Sequence, residues 1–385
     1  MKIREFSMLL LATLLIYSCN NGSNKKELIP EVKVPVNAFI PLNEASEIEY
    51  NTASVMGQQP YVFTNTSTNN DVSILNHLDE TGFHFYQGLK FKNENFGVLV
   101  GGTGLRVRLT ENGGTNWKEI RFSRFSNAFQ SVDFSGDTIF IVGANQHIFK
   151  SEDFGKNWSV LDTKYFFKDD NSRYQSLKYY KVRFFNEKIG FIVGERKNKP
   201  IILKTLDGGA TWKMIENDTL LKEDKGITDI VQLSADDILI TTLSGKCYKS
   251  VNGGLTWQLL YSGDNKTLSS IGFFNANTGF IGGLNGLFMH TNDAGQSWKS
   301  LHMPYGEISD ICIYKNTAYV TTAFIPAGEA KSFVFKVDMN GEHITPFLTK
   351  QDSSVVFKAD SYNLDVVNDH IYMLDRNNLY KTHLK

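Results

Sequence analysis

The sequence predicts an all-β fold built from repeated four-stranded sheets, and three observations lead to this prediction. Aromatic residues make up 13% of the 385 residues, with 28 Phe and 16 Tyr, and strands favour aromatic side chains. A Ser/Thr-x-Asp/Asn-x-Gly-x-x-Trp box occurs five times, and its last position holds every tryptophan of the protein. The tryptophans are spaced by 41, 54, 45 and 41 residues, and a period near 40–45 residues is the length of one four-stranded propeller blade.

Each box is expected to close the turn between the third and fourth strands of a blade. The Asp or Asn side chain can accept bonds from backbone N–H groups one or two residues on, and the Gly can adopt a positive φ. The Trp ring can bury roughly 150–250 Å² against neighbouring strands. The recurring acids are therefore interpreted as structural, since one active site does not need several identical acids. The box residues are Asn112, Gly114, Trp117, Asp153, Gly155, Trp158, Asp207, Gly209, Trp212, Asn252, Gly254, Trp257, Asp293, Gly295 and Trp298.

Three short runs of strand-forming residues precede each box, as at 182–185, 190–193 and 201–204 before the third box. Five blades carry boxes, and a sixth, degenerate blade follows with 337–341 in place of a box. A seventh has only three predicted strands, so its outer strand is expected to come from residues near 71–78 and to close the ring, because an unpaired sheet edge is unfavourable. The prediction is a seven-bladed propeller of four-stranded antiparallel blades. Six or eight blades remain alternatives if residues 36–65 or the degenerate region are assigned differently.

A second motif, Phe-x-Asn/Asp-x-x-x-Gly-(aromatic)-x-x-Gly, precedes three of the boxes at 91–101, 184–194 and 273–283, with Val98 departing from the aromatic position. The box itself resembles the Asp-box, or bacterial neuraminidase repeat, of sialidases, some glycan hydrolases and sortilin-type receptors. The two motifs together resemble the photosystem II stability/assembly factor family over roughly residues 84–301. The resemblance implies a propeller that binds or assembles other proteins. In that family a basic patch meets a reaction-centre precursor, but its positions cannot be matched residue by residue here.

The N-terminus resembles the signal of a bacterial lipoprotein. Lys2 and Arg4 precede an apolar run over residues 6–17, and Ser18-Cys19 follows it. The resemblance implies a signal peptide over 1–18, lipidation of Cys19, a lipidated N-terminus and flexible tether over 19–55, and the propeller over 56–385. Asn20 stands where retention in an inner membrane usually requires Asp, which favours the outer membrane. The expected location is thus the cell envelope, and the membrane is reached through the N-terminal lipid.

Composition argues against several classes of function. Lys and Arg total 40 and Asp and Glu total 41, so a large basic surface for nucleic acid is not indicated. The eight His residues are scattered without a metal-ligand spacing, and no dinucleotide fingerprint occurs. We therefore predict no metal, no cofactor and no nucleic-acid partner. Cys247 and Cys312 lie in strand-like segments and are expected to be buried free thiols, although an exported chain could pair them.

A glycan-active enzyme of the sialidase-like propeller type is the alternative function. Sialidases usually carry an Arg-Ile-Pro motif and bring three arginines together from separate blades. This sequence has no Arg-Ile-Pro, and Arg106, Arg108, Arg121 and Arg124 fall near one blade. The acidic pairs Asp169–Asp170 and Asp236–Asp237 are interpreted as solvated turns rather than the two carboxylates of a glycosidase. No catalytic residue is assigned.

A partner is expected on the face opposite the box turns, which interblade loops and the loops between second and third strands build. The longest interblade loop covers residues 161–180 and combines aromatic with basic residues, which suits recognition of a protein or a glycan. The alternative is a loop whose aromatics pack on their own blade. The predicted function is a noncatalytic, membrane-anchored, extracytoplasmic scaffold for another envelope protein or a glycan. The sequence predicts no particular oligomeric state. The candidate residues are Arg124, Tyr165, Phe166, Arg173, Tyr174, Arg196 and Lys197.

Overall fold

A computed structural model places most of the chain in strands. It describes residues 40–42, 45–50, 63–64, 73–77, 86–101, 105–122, 128–144, 147–166, 177–216, 219–263, 266–303, 306–323, 331–350, 363–374 and 378–384. Helical structure within these ranges is limited to one α-helical turn, Thr219–Lys222, and two 3-10 turns, Thr163–Phe166 and Leu284–Gly286. Among the same residues there is no helix with the length and apolar character needed to cross a membrane.

The strands form seven antiparallel sheets. Four strands lie in the first part of the chain: β1 (Ile40–Leu42), β2 (Ala45–Tyr50), β3 (Phe63–Thr64) and β4 (Ser73–His77). Blades 1 to 3 follow as β5 (Tyr86–Phe91), β6 (Gly97–Gly101), β7 (Arg106–Thr110), β8 (Trp117–Phe122), β9 (Phe129–Ser135), β10 (Thr138–Gly143), β11 (His147–Ser151), β12 (Trp158–Asp162), β13 (Leu177–Phe184), β14 (Gly190–Arg196), β15 (Lys199–Thr205) and β16 (Lys213–Ile215).

The remaining blades continue the same meander. They consist of β17 (Ile227–Gln232), β18 (Ile238–Thr242), β19 (Lys246–Ser250), β20 (Gln258–Ser262), β21 (Leu268–Phe273), β22 (Gly279–Gly283), β23 (Phe288–Thr291), β24 (Lys299–Ser300), β25 (Glu307–Tyr314), β26 (Thr317–Ala323), β27 (Lys331–Asp338), β28 (Ile344–Lys350), β29 (Asn363–Val367), β30 (His370–Leu374) and β31 (Asn378–His383). Within each blade, consecutive strands pair antiparallel from the inner to the outer edge. The predicted seven-bladed propeller with four-stranded blades is confirmed.

The early strands join sheets that lie far along the chain. β1 pairs with β12, β2 with β8 and β3 with β28, and each adds a fifth strand to the outer edge of its blade. The sequence predicts a flexible tether over 19–55, but the structure places 40–42 and 45–50 within sheets. The physical reason is that the outer strand of a blade presents unpaired N–H and C=O groups, which an extended segment can satisfy. Residues 1–39, which include the predicted signal peptide and Cys19, lie outside the described residues.

The sheet of blade 7 contains one strand from the first part of the chain. β4 pairs antiparallel with β31, and the order of the sheet is β29-β30-β31-β4. On the inner side, blade 7 contacts blade 1 directly, because Asp365 accepts the backbone N–H of Phe91 at 2.6 Å. The Phe91 ring also stacks on Tyr372, with ring centroids 3.7 Å apart. Blades 7 and 1 are thus joined by a buried carboxylate and an aromatic stack.

Blade 6 has four strands of its own and keeps part of the box geometry. The sequence predicts three strands and a degenerate box, and the structure adds β28 as the outer strand. Asp338 Oδ1 accepts the N–H of Glu342 at 2.8 Å, a bond across four residues. The Asp or Asn of each of the five boxes accepts the same bond. The turn of blade 6 therefore keeps this bond although it lacks the Trp and the Gly spacing of the box.

The Phe and the first Gly of the second motif pack on each other. Phe184 faces Gly190 across β13 and β14, and a Cβ on Gly190 would lie 2.6 Å from the Phe184 ring. Asn186 closes the turn between them, because its Oδ1 accepts the N–H groups of Lys188 and Ile189 at 2.8 and 2.9 Å. This turn meets the box of the same blade, where Gly208 N–H donates to Lys188 C=O at 2.8 Å. The two motifs are therefore one connected unit at the same end of the blade.

The hydrophobic core lies between adjacent blades. The second strand of a blade is buried on both faces, as β6, β18 and β22 are along their whole length. One cluster combines Phe140 of blade 2 with Leu203 and Trp212 of blade 3, and the other blades form equivalent clusters. Cys247 is buried and Cys312 half-buried, both as free thiols. The prediction of two buried thiols is thus wrong for Cys312, because its strand β25 faces the central cavity described below.

Candidate functional site

The five boxes share the hydrogen bonds that their Ser/Thr and Asp/Asn side chains accept from the backbone. In the second box, Ser151 Oγ accepts the N–H of Gly155 and Asp153 Oδ1 accepts the N–H of Asn157, both at 2.8 Å. The acceptor therefore reaches four residues on, whereas the sequence predicts one or two. The reason is that Gly155, with φ of +83°, turns the chain back so that the later amide points at the carboxylate. In the first and second boxes the indole also donates to the box glycine, from Trp117 to Gly114 C=O at 3.0 Å and from Trp158 to Gly155 C=O at 2.9 Å.

The acids of the boxes are held in the ionised form. Hydrogen bonds from the Ser297 side chain and backbone lower the pKa of Asp293 to about 2. Although burial opposes it, hydrogen bonds from the box also hold the pKa of Asp153 and of Asp207 below the usual range. A general acid needs a raised pKa near the working pH. These ionised carboxylates stabilise turns, and at neutral pH they carry no proton to donate to a substrate.

The box turns define one face of the propeller, here called the lower face. The opposite, upper face carries the loops between second and third strands and the interblade links. Arg196 and Lys197 lie there, at the turn from β14 to β15, where Lys197 is exposed and Arg196 half-buried. Arg124, Arg173 and Tyr174 lie outside the described residues.

Phe166 does not belong to an exposed surface. The 3-10 turn Thr163–Phe166 contains both Tyr165 and Phe166, and the Phe166 side chain is only 2% exposed. It packs against Leu161, Leu177 and other core residues of blades 2 and 3. The predicted alternative, in which the aromatics of this loop pack on their own blade, therefore holds for Phe166. Its phenyl ring lies in the core between blades 2 and 3 and excludes water from that junction.

A cluster of three arginines around one glutamate lies on blade 1, toward the upper face. The fully buried Glu119 carboxylate accepts from Arg121 Nε at 2.6 Å, Arg108 Nε at 3.0 Å and Arg106 Nη1 at 3.2 Å. Burial raises the pKa of Glu119, but the bonds and charges of Arg121, Arg108 and Arg106 outweigh burial and hold it below its usual range. The Glu119 carboxylate thus holds three guanidinium groups together.

The position of this arginine cluster follows from strand alternation. Arg108 faces Glu119 and Arg106 faces Arg121 across β7 and β8, and alternate residues of a strand share one face. Arg106 begins β7 and Arg121 is the penultimate residue of β8, so both lie at the upper ends of their strands. The Arg121 side chain is 37% exposed. The Arg-x-Arg spacing of β7 and the Glu-x-Arg spacing of β8 place these side chains on one face of the blade, and Glu119 could have been found from them.

Basic groups also lie at the upper end of blade 3. Glu195 accepts from Tyr180 OH at 2.8 Å, and Lys178 Nζ lies 3.4 Å from it. Burial and the neighbouring Glu195 raise the pKa of Tyr180, so this phenol stays neutral. Arg196 and Lys197 follow Glu195 directly. The upper ends of blades 1 and 3 therefore both contain basic side chains.

A cavity of about 290 Å³ lies on the axis and is lined by the inner strands of all seven blades. Aspartates of the inner strands bind the backbone of the following blade. Asp133 accepts from Phe184 N at 2.7 Å, Asp310 from Leu364 N at 2.9 Å, and Asp229 from Ile271 N at 3.3 Å. Burial raises the pKa of Asp133, with Lys90 and the backbone donors opposing it. Because both its oxygens already accept backbone N–H groups, Asp133 serves the junction between blades.

Other acidic residues lie in turns. Asp236 lies in the turn between β17 and β18, where its backbone C=O accepts the N–H of Gly253 at 2.9 Å. Asp338, Glu342 and His343 place one potential metal ligand each within 4.8 Å of one another. Glu342 and His343 are exposed, and Asp338 is already occupied by the box-like turn of blade 6. This group fits a turn better than a metal centre. Asp169 and Asp170 lie outside the described residues.

Comparison with known proteins supports the resemblance drawn from the two motifs. Residues 80–166, which contain blades 1 and 2, match the family described as photosynthesis system II assembly factor YCF48. The structure of YCF48 bound to D1 peptide is 14% identical, with a TM-score of 0.59, and the match covers 84% of this chain and 100% of that one. YCF48 from Cyanidioschyzon merolae is 18% identical, with a TM-score of 0.57 over 81% of this chain and 98% of that one.

Unrelated propellers match equally well in shape. The WD40 β-propeller domain of Doa1 is 10% identical, with a TM-score of 0.60 over 81% of this chain and 96% of that one. At these identities the likeness to solved structures is one of fold. None of the curated proteins matches the sequence significantly. The predicted resemblance to the assembly-factor family is confirmed by the family match over 80–166.

Proposed function

We propose that this protein is a noncatalytic binding or assembly scaffold that is anchored in the cell envelope through a lipid on Cys19. Its partner is a carboxylate-bearing segment of another envelope protein, held on the upper face of the propeller. The observation that carries this proposal is the arginine cluster of blade 1, in which the Glu119 carboxylate holds three guanidinium groups and the Arg121 side chain is 37% exposed.

The cluster has the chemistry to bind an acidic segment. Arginine presents several N–H donors in a fixed plane that matches a carboxylate, and such charge-assisted bonds are among the strongest in proteins. Glu119 holds the guanidinium groups of Arg106, Arg108 and Arg121 in place. Arg121 is the most exposed of the three, and Arg196 and Lys197 offer further cations on the same face.

Two further observations support a scaffold over an enzyme. The described arginines of the cluster all belong to one blade, whereas a sialidase-like site would draw them from several. The acids of the boxes are ionised and bound within their turns. The YCF48 structure bound to a D1 peptide is consistent with a propeller of this architecture holding a segment of another protein.

The test compares two charge-removing variants on opposite faces. Tagged wild-type protein, Arg121→Gln and Lys156→Gln are crosslinked in whole cells and purified, and the crosslinked partner is quantified by mass spectrometry. Lys156 is an exposed residue of the second box turn, on the lower face. We expect Arg121→Gln to reduce recovery of the partner about tenfold, since a charge-assisted bond contributes about 1.5–3 kcal/mol, and Lys156→Gln to leave it unchanged.

Equal recovery with both variants would contradict binding at the upper face. The glycan-active alternative is tested separately with fluorogenic sialosides and a panel of plant and host glycans. Turnover that disappears on mutation of a single carboxylate would replace the scaffold proposal with an enzyme.

A further inference from the structure

Exposed apolar side chains are concentrated in the box turns of three consecutive blades. Among the described residues, five large apolar side chains are exposed, and four of them belong to the second, third and fourth boxes. Their exposed fractions are 37% for Phe154, 57% for Leu206, 63% for Val251 and 49% for Leu255. Because the box turns define the lower face, these four residues form an apolar arc on the lower face of blades 2 to 4.

The box itself does not need these side chains. They occupy the x positions of the Ser/Thr-x-Asp/Asn-x-Gly-x-x-Trp pattern, whereas the side chains that accept the bonds of the turn occupy its first and third positions. At the x positions the first box has Glu111 and Thr115, and the fifth has Asn292 and Gln296. A box turn therefore forms equally well with polar residues there, and the apolar arc indicates contact with something outside the propeller.

The arrangement of the arc fits a lipid bilayer better than a bound peptide. Its four side chains belong to three separate turns, each on its own blade, and not to one strand edge or one groove. A bilayer accepts separate apolar side chains at the boundary between headgroups and acyl chains. A peptide instead requires a continuous sheet edge or groove.

The charged side chains around the arc are of both signs. Lys156 and Lys188 are exposed in the turns of blades 2 and 3, and Glu187 and Asp236 are exposed in the turns of blades 3 and 4. Attraction to anionic lipid requires a cluster of basic residues without acidic neighbours. Contact between this face and a bilayer therefore depends on apolar area and needs no anionic headgroup.

The first part of the chain joins the propeller next to the arc. β1 pairs with the beginning of β12, where Leu42 lies opposite Trp158, the last residue of the second box. Twenty residues lie between Cys19 and Ile40, and a fully extended chain of that length spans at most about 70 Å. A lipid on Cys19 would hold the propeller near the bilayer at a high effective concentration, so that a small apolar contact suffices for docking.

We propose that the box turns of blades 2, 3 and 4 dock on the surface of a lipid bilayer. Phe154, Leu206, Val251 and Leu255 enter the boundary between headgroups and acyl chains. This inference rests on the lipid anchor at Cys19 proposed above, and it adds an orientation that an anchor alone does not give. The upper face, with the arginine cluster of blade 1, then points away from the bilayer and is accessible to a partner.

The test follows a single added tryptophan in vesicles. The lipidated protein is purified from cell membranes and reconstituted in phosphatidylcholine vesicles, with or without bromine on the acyl chains, because bromine quenches nearby indoles. Flotation measures association with the vesicles. Leu206→Trp places the probe in the arc. Lys222→Trp is the matched control, because Lys222 is exposed in the link between blades 3 and 4 on the upper face.

We expect brominated lipid to lower the fluorescence of the Leu206→Trp protein at least twofold and to leave that of the Lys222→Trp protein nearly unchanged. Adding Val251→Asp and Leu255→Asp to the Leu206→Trp protein should abolish the quenching, and adding phosphatidylglycerol to the vesicles should not alter it.

Equal quenching of the two probes, or no quenching in protein that floats with the vesicles, would overturn docking through the arc and leave the anchor at Cys19 intact. The arc would then be a contact surface for a protein or for a second copy of this chain. Protein that does not float with the vesicles would contradict the anchor and the docking together.

Discussion

A glycine of the box is constrained twice, by its own backbone and by the neighbouring blade. Gly209 has φ of +83°, a conformation that L-residues rarely adopt. A Cβ at this position would lie 2.2 Å from Cζ of Phe140, a residue of the previous blade that is completely buried. Phe140 in turn meets the Trp212 ring edge-on, at 5.9 Å between centroids. The box therefore stabilises the junction between two blades as well as the turn of its own blade.

Replacing Gly209 with Ala should lower the free energy of unfolding by about 2–5 kcal/mol. Overpacking of a core contributes about 1–3 kcal/mol and the left-handed backbone about 1–2 kcal/mol. Gly136→Ala is the control, because Gly136 also has a positive φ of +56° but its nearest neighbouring atom would lie 3.8 Å from the new Cβ. Urea denaturation of both variants measures the difference. Equal destabilisation would mean that the contact with Phe140 contributes nothing.

The acids of the boxes should make stability depend on pH in the acidic range. Asp293 has a pKa of about 2 in the folded protein, and the pKa values of Asp153 and Asp207 are also lowered. An unfolded Asp has a pKa near 3.9, so the unfolded chain binds more protons between these values. The stabilisation is therefore complete above about pH 4 and is lost as pH falls toward about 2.

The triple variant Asp153→Asn, Asp207→Asn, Asp293→Asn tests this dependence. Asn is already present in two boxes, where Asn252 Oδ1 accepts the N–H of Thr256 at 2.9 Å, so the turns should persist. We expect the melting temperature of the variant to fall less steeply than that of the wild type between pH 5 and pH 2. Parallel profiles would show that these carboxylates do not cause the acid sensitivity.

At the level of strands, local patterns predicted what lies within a blade but not what pairs across the chain. The Phe–Gly motif and the box encode a hairpin and a turn from adjacent residues, so the strands of blades 1 to 5 could be predicted. The strands β1, β2 and β3 could not be predicted, because the strands with which they pair lie far away in the sequence. Without those partners, the sequence that contains β1 and β2 cannot be distinguished from a flexible tether. Blade 6 shows the same limit, since Asp338 keeps the bond of the box without the Trp or the Gly spacing.

Loss of β4 should destabilise the molecule far more than loss of β1. β4 is the fourth strand of the blade 7 sheet, whereas β1 adds a fifth strand to a blade that already has four. Replacing Ser73–His77 with Gly and Ser exposes the edge of β31, where unpaired backbone groups and apolar residues meet water. We expect a clearly lower melting temperature, and little change when Ile40–Leu42 is replaced in the same way. The reverse order of effects would contradict closure by this strand.

At the level of the whole molecule, the ring depends on contacts that no local pattern contains. Asp133, Asp229, Asp310 and Asp365 each accept a backbone N–H of the following blade. Read in the sequence, they are isolated acids in strands, and only the circular arrangement gives them partners. The same reason explains the candidate site, where the arginines of blade 1 were recognised but Glu119 was not. A predicted surface aromatic, Phe166, proved to be part of the core between blades 2 and 3.

Membrane association should depend on Cys19, which precedes the propeller strands in the sequence. Each buried methylene of an acyl chain contributes about 0.8 kcal/mol, so several chains on Cys19 would hold the whole molecule at a bilayer. We expect Cys19→Ala to move the protein from the membrane to the soluble fraction and to abolish incorporation of labelled fatty acid. Cys312→Ala is the control, because Cys312 lines the central cavity and its loss should leave fractionation unchanged. A Cys19→Ala protein that remained with the membrane would show that another feature of the chain anchors it. That feature, rather than a lipid on Cys19, would then determine where the protein is located.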